Sequence, residues 1–308
     1  MADVFIPGSI EEAVAFLADH PATAMPIAGG TDILVDTRTG RSRPERLVDL
    51  SGLRGFGGFE LDGELLRLGA LTRIRSIELD AELARRAAAL VEAARVLGSV
   101  QIRTMATVGG NLCHATPSAE MPPALLVHEA VAEITGASGR YSTPLADFFV
   151  SPGRTILAPG DLLTSVRARV PSSTSGSCYL RQTVRWSMDL AGVGVAASVH
   201  VKEGAVSKAS VALSAVAPVP MVVAGAEDAV VGTDLGSDVL AEAGRRAAQA
   251  CAPISDARGT ADYRREVVSV LVPRALRIAW LRATASWPEG SPAPANGVWT
   301  GMWTGELR

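Results

Sequence analysis

The chain alternates short apolar runs with segments whose apolar residues recur every three to four positions. Ser9-Ile10-Glu11-Glu12 has the form of a capping box, and Ala13, Val14 and Leu17 continue along one face, so a helix is predicted to about Asp19. The run Ala24 to Ala28 predicts a short buried strand, Ile33 to Asp36 a helical turn, and Arg46 to Leu50 a further strand. Leu65 to Leu71 reads as a strand, although its alternation is poor. Leu83, Ala87, Leu90, Val91 and Ala94 keep helical spacing, which predicts one helix over Glu82 to Leu97. Pro122 and Pro123 suit the start of a helix through Ala124 to His128, and Val131 to Thr135 reads as a strand.

The second half begins differently. Leu162 to Val170 predicts a strand that ends in Pro171-Ser172-Ser173-Thr174-Ser175-Gly176-Ser177, a short polar stretch and the best domain boundary in the chain. Val193 to Val201 and Val206 to Val216 flank Lys202-Glu203-Gly204-Ala205 and predict an antiparallel hairpin. Helices are predicted at about Gly236 to Ala250 and Asp262 to Ala283. The expected class is α+β: a first domain over residues 1–170, a second over 177–284 built as a sheet with helices on one side, and a tail over 285–308. The tail holds Trp287, Trp299 and Trp303 and shows no periodicity. It reads either as disordered or as a strap whose tryptophans dock on a partner.

Composition narrows the function classes. The 308 residues are 48% hydrophobic and 20% charged, enough for a real core. A net charge of −3 offers no basic excess for nucleic acid, and the cluster Arg38, Arg41, Arg43 and Arg46 reads as a solvated face. The apolar stretch Val211 to Ala226 is broken by Pro218 and Pro220, so no membrane span is expected. MADVFIPGS lacks the basic start and apolar core of a secretory leader. Three scattered cysteines, Cys113, Cys178 and Cys251, suit a reducing cytoplasm and are too few for an iron–sulfur cluster of the chain's own.

The candidate chemistry lies in two glycine segments, Pro26-Ile27-Ala28-Gly29-Gly30-Thr31-Asp32 and Thr107-Val108-Gly109-Gly110-Asn111-Leu112. Alone, each reads first as a plain turn. Glycine also lets backbone approach a ligand, and successive free N–H groups make an anion nest; two such nests would suit a pyrophosphate. Gly192-Val193-Gly194-Val195-Ala196-Ala197 fits a dinucleotide fingerprint formally, but its two-residue period runs on through a strand. Cys113-His114 beside Glu120 reads first as a packed thiol and a loop imidazole, and only second as a nucleophile pair. The four histidines show no metal-ligand spacing.

Together, PIAGGTDILVD from Pro26 and TVGGNLCHATPSAEMPP from Thr107 resemble the FAD-binding subunit of the xanthine dehydrogenase and carbon monoxide dehydrogenase family of molybdenum hydroxylases. The likeness runs from about Phe5 to Thr284 and includes Pro253-Ile254-Ser255-Asp256, Tyr263-Arg264 and Leu213-Ser214-Ala215-Val216-Ala217-Pro218. It implies a two-subdomain FAD-binding domain of the vanillyl-alcohol oxidase type, followed by the C-terminal domain of these flavoprotein subunits. By this likeness Ala28, Gly29, Gly30, Thr31 and Asp32, with Thr107, Gly109, Gly110 and Asn111, bracket the pyrophosphate. Glu120 stands where relatives commonly place an Asp on the cofactor polyol. Leu163 and Arg181 fall where relatives contact the flavin end; Arg181 replaces the more usual Lys and otherwise reads as a surface arginine. Trp186 and Met188 read equally as flavin neighbours or as core. The resemblance further implies a heterotrimer: a small partner with 2Fe–2S clusters, a large partner with the molybdopterin cofactor, and electron transfer through FAD to an external acceptor. A stand-alone flavin oxidase, or an assembly module without flavin, is the competing expectation.

Overall fold

The computed structural model describes residues 2–171, 174–185 and 188–284. Trp186 and the tail from Trp287 onward, about which the sequence raised expectations, lie outside the described residues.

Three strands open the chain. β1 (Asp3–Phe5), β2 (Ala24–Ile27) and β3 (Arg46–Asp49) form a parallel sheet in the order β1-β3-β2. Helix α1 (Ile10–Asp19) buries Ile10, Ala13, Val14 and Leu17, the stripe its spacing predicts. Ser9 Oγ accepts from Glu12 N at 3.2 Å, while the Glu12 carboxylate accepts from Gly8 N at 2.7 Å. The capping box therefore reaches one residue beyond its cap. Helix α2 (Ile33–Thr39) connects the first glycine segment to β3.

An antiparallel sheet follows, in the order β4-β5-β10-β6-β7. Its strands are β4 (Phe59–Asp62), β5 (Leu65–Gly69), β6 (Val131–Gly136), β7 (Gly139–Pro144) and β10 (Leu162–Arg169). A small hairpin, β8 (Phe149–Ser151) and β9 (Arg154–Thr155), lies between β7 and β10. Six short helices fill the connection from β5 to β6. They are α3 (Ile74–Leu79), α4 (Ala81–Arg86), α5 (Ala88–Val96), α6 (Val100–Met105), α7 (Val108–His114) and α8 (Met121–Leu126). The single helix predicted over Glu82 to Leu97 is thus two helices, broken at Ala87, whose φ is −135°. Alanine does not break helices by itself. The N-terminus of α5 is drawn instead to the second domain, where Ser177 Oγ accepts from Ala89 N at 3.1 Å.

The last sheet has the order β11-β12-β13-β14, from β11 (Ser175–Gln182), β12 (Val193–Lys202), β13 (Ala205–Ser214) and β14 (Met221–Val222). The predicted hairpin joins β12 and β13 through Glu203 and Gly204, both with positive φ, as a two-residue turn of matching twist requires. Helices α9 (Ala224–Val230), α10 (Ser237–Ala250) and α11 (Ala261–Ala283) complete the chain. One face of this sheet, with Leu180, Val195, Ala197 and Val211, packs in a core with α10 and α11. The other face carries Tyr179, Ala196 and Ala212, which join the core of the first domain. The sheet expected to have helices on one side therefore has its own helices on one face and α5 and α8 on the other. Charge ties the seam together: Glu92 on α5 accepts from Tyr179 N at 2.7 Å and pairs with Arg282 on α11 at 2.6 Å. Among the described residues no helix is long and apolar enough to cross a membrane.

Candidate functional site

The first glycine segment leaves β2 and turns into α2. Gly30 has φ +72°, which a side chain would resist. A Cβ added at Gly29 would overlap the Met105 carbonyl oxygen and stand 3.0 Å from Ala106 Cα. Glycine is thus needed there because the segment lies directly on the main chain that leads into the second glycine segment. Among the described residues, none accepts a hydrogen bond from the amides of Gly29, Gly30, Thr31 or Asp32. Ala28, Gly29, Gly30 and Thr31 are half-buried and Asp32 is exposed. With only seven residues, α2 adds little dipole, so the free amides are the main anion-binding resource here.

The second segment differs from the loop expected. Thr107 is the N-cap of α7, and Gly109, Gly110 and Asn111 form its first turn. Thr107 Oγ1 accepts from Gly110 N at 3.0 Å, and Thr107 O accepts from Asn111 N at 3.0 Å. Gly109 N donates to Ala70 O at 2.7 Å, where an added Cβ would meet Ala70 at 2.8 Å. The main-chain amides are therefore committed inside the chain, and this segment is not an open nest. What it offers is a side chain: Asn111 Oδ1 is buried with no hydrogen-bond partner. The two segments meet again one turn later, where His114 stands 3.8 Å from Asp32 Oδ1 and 3.6 Å from Asp36 Oδ2. Its neighbour Cys113 has its thiol pushed up to about 12 by burial, which removes it as a nucleophile at neutral pH.

Glu120 and Arg181, expected separately along the cofactor, meet each other. Arg181 Nη1 donates to Glu120 Oε1 at 2.8 Å and to the Asp189 carbonyl at 3.0 Å. Arg181 is 2% exposed and Glu120 5%, so Arg181 is not a surface arginine. Burial pushes the Glu120 carboxyl up to about 7, against the opposing pull of the Arg181 charge. Arg181 Nε remains buried and without a partner. This pair links the start of α8 to β11 across 61 residues, and no spacing in the sequence announces it.

Leu163 sits on β10, 7% exposed, with its side chain in the core of the first domain. Its relation to the glycine segments runs through backbone: Thr164 O accepts from Ala70 N at 2.9 Å, and Ala70 O accepts from Gly109 N. Met188 is exposed with φ +53°. The structure therefore brings Ala28 to Asp32 and Thr107 to Asn111 together, joins Glu120 to Arg181, and keeps the Leu163 side chain inside the core. Sequence reading missed the role of Met105 and Ala106 as the surface under Gly29. It also missed His114 as the link to Asp32, although the offset of three residues from Asn111 on one helix was the available signal.

Comparison with known proteins adds the family. Residues 1–173 match the FAD binding domain in molybdopterin dehydrogenase, and residues 178–279 match the CO dehydrogenase flavoprotein C-terminal domain. The carbon monoxide dehydrogenase medium chain of Afipia carboxidovorans is 32% identical over 281 residues, which cover 91% of this chain and 97% of that one. A putative xanthine dehydrogenase FAD-binding subunit of Escherichia coli is 28% identical over 271 residues, 87% of this chain and 92% of its own. Reconstituted CO dehydrogenase from Oligotropha carboxidovorans contains a chain that superposes with a TM-score of 0.88 at 31% identity, over 92% of this chain and 98% of that chain. The curated relatives are chains or subunits of larger enzymes, which sets the stand-alone oxidase aside. By both domain matches and by full-length similarity, the chain belongs to the FAD-binding flavoprotein subunits of the molybdopterin dehydrogenases.

Proposed function

We propose that this chain binds FAD between its two glycine segments and serves as the electron-transfer subunit of a cytoplasmic molybdenum hydroxylase. The observation that carries the placement is the pairing of unengaged amides at Gly29 to Asp32 with the orphaned Asn111 Oδ1 on the helix whose His114 faces Asp32. A buried polar atom without a partner is costly unless a ligand satisfies it, and a pyrophosphate with its ribitol and ribose hydroxyls supplies both acceptors and donors. The residues present therefore fit the cofactor that the family implies.

In this reading the chain positions and shields. Gly29, Gly30, Thr31 and Asp32 donate main-chain N–H groups to phosphate oxygens, and Gly30 supplies the turn that aims them. Asn111 receives a hydroxyl, while Thr107 caps its helix and Gly109 ties that helix to Ala70, just past β5. Glu120 and Arg181 bind one another and carry the polar end of the site across the domain seam, so both domains contribute. Leu163 contributes from the core beneath. FAD held there would supply the redox chemistry that links one-electron carriers to an external acceptor. The iron–sulfur and molybdopterin centres reside on a small and a large partner subunit. The division falls at about residues 171–174, ahead of β11, with a flavin domain before it and the C-terminal domain after it to residue 284. Yellow colour with one FAD per chain in the purified protein, lost when the first segment's backbone is perturbed, tests the placement. A colourless protein with no affinity for added FAD overturns it.

A further inference from the structure

Behind the two glycine segments lies a buried charged clamp that none of the expected site residues includes. Arg103 on α6 meets Glu78 on α3 in a two-pronged pair, Nε to Oε2 at 2.7 Å and Nη2 to Oε1 at 3.1 Å. The two side chains are only 9% and 10% exposed. Arg103 Nη1 also donates to Leu97 O at 3.1 Å, which fixes the end of α5. Arg75 approaches the same carboxylate at 2.7 Å.

The clamp acts on one short stretch of main chain. Two residues after Arg103 comes Met105, whose carbonyl oxygen accepts from Arg73 Nη1. Ala106 O accepts from Ile74 N at 3.0 Å. Met105 and Ala106 are the atoms on which Gly29 rests, and Thr107 follows as the cap of α7. Position of the first segment relative to the second is therefore set by where α3 holds the end of α6. An apolar pair of similar volume would stabilise the fold as well or better than a buried ion pair, so stability alone does not account for this one. A two-pronged charged contact fixes orientation as an apolar contact does not.

We propose that Arg103, held by Glu78, is a positioning residue for the FAD site: it sets Met105 and Ala106 as the floor under Gly29 and so the spacing of the two glycine segments. The inference rests on the reading that these segments hold FAD.

The test uses the full chain freed of FAD and titrated with FAD, with thermal stability of the apoprotein measured alongside. Replacing the pair together, Glu78→Leu with Arg103→Met, should leave the melting temperature near wild type while weakening FAD binding by about tenfold or more. Arg103→Lys, which keeps charge but loses the two-pronged geometry, should fall between the two. Wild-type FAD affinity in the stable double variant overturns the proposal; if that variant does not fold, wild-type affinity in Arg103→Lys overturns it. Gly110→Asp, measured in parallel, separates the two ideas. Loss of FAD in Gly110→Asp with wild-type affinity in the clamp variants sinks the clamp and leaves the site in place. Unchanged affinity in all of them removes the site and the clamp with it.

Discussion

At the scale of the residue, the two glycine segments do different work from one another. Gly110 is exposed, and the nearest neighbour of an added Cβ is Thr107 Oγ1 at 3.0 Å. An aspartate there falls in the first turn of α7, where acidic side chains are tolerated, so Gly110→Asp should fold. Its carboxylate would face the pyrophosphate, and like charges about 4 Å apart repel by about 4 kcal/mol at an effective dielectric near 20. FAD titration should show a loss of more than about a hundredfold. Asn111→Ala should weaken binding by about 0.5–1.5 kcal/mol, the range for one neutral hydrogen bond. Wild-type affinity in both variants contradicts the placement. Glu120→Met leaves the Arg181 guanidinium buried without its partner and should destabilise by about 3–5 kcal/mol in chemical denaturation, whereas Glu120→Met with Arg181→Met should recover most of that loss. These residue types were legible as a site from the sequence because glycine, asparagine and threonine cluster twice. The pairing of Glu120 with Arg181 was not, because it depends on the register of β11 against α8, which no local pattern encodes.

At the scale of the element, the strands of the second domain were the most legible part, since Val193 to Val201 alternates cleanly and a two-residue turn joins it to a second apolar run that ends at Ser214. The six helices between β5 and β6 were the least. α7 carries two glycines in its first turn, the poorest helix formers after proline, and its order comes from the Thr107 cap and the Ala70 and Thr72 carbonyls. α3 and α6 have six residues each, too few to display a period. The end of α8 carries a testable consequence. His128 is 4% exposed, and its Nδ1 bonds to Arg169 O at 2.9 Å, tying α8 to the end of β10. Burial lowers the His128 pKa to about 4, with its bond to the Arg169 carbonyl opposing and His200 adding to the fall. The folded state thus binds fewer protons than the unfolded state between about pH 6.5 and 4, so His128 contributes stability above that window that is lost as pH falls through it, about 3 kcal/mol in all. Glu120 runs the other way: its raised pKa contributes stability at low pH that is lost as pH rises through about 7. Melting curves against pH should show the acid-side loss in the wild type and a flatter profile in His128→Leu. An identical slope in the two proteins contradicts the assignment.

At the scale of the whole molecule, the second domain's sheet is covered on both faces, by α10 and α11 on one side and by α5 and α8 on the other. The two domains therefore fold as partners across a seam held by Glu92, Arg282, Glu120 and Arg181. The sequence marked the boundary at Pro171 but carried no sign of this shared core, since a strand that alternates valine with alanine and serine looks one-sided until its second neighbour is known. Acid precipitation should release yellow FAD, because desolvation holds the Cys113 thiol protonated and His114 is turned toward Asp32 and Asp36; colour held in the protein pellet would indicate a covalent flavin. The central claim is that this chain is the FAD-bearing part of a molybdenum- and iron-containing assembly. Purifying the native protein from its own cells and measuring flavin, iron and molybdenum tests it most directly. The account predicts that one FAD per copy of this chain travels with two larger and smaller partners that carry molybdenum and iron. A lone chain that turns over a substrate with neither metal present would contradict it.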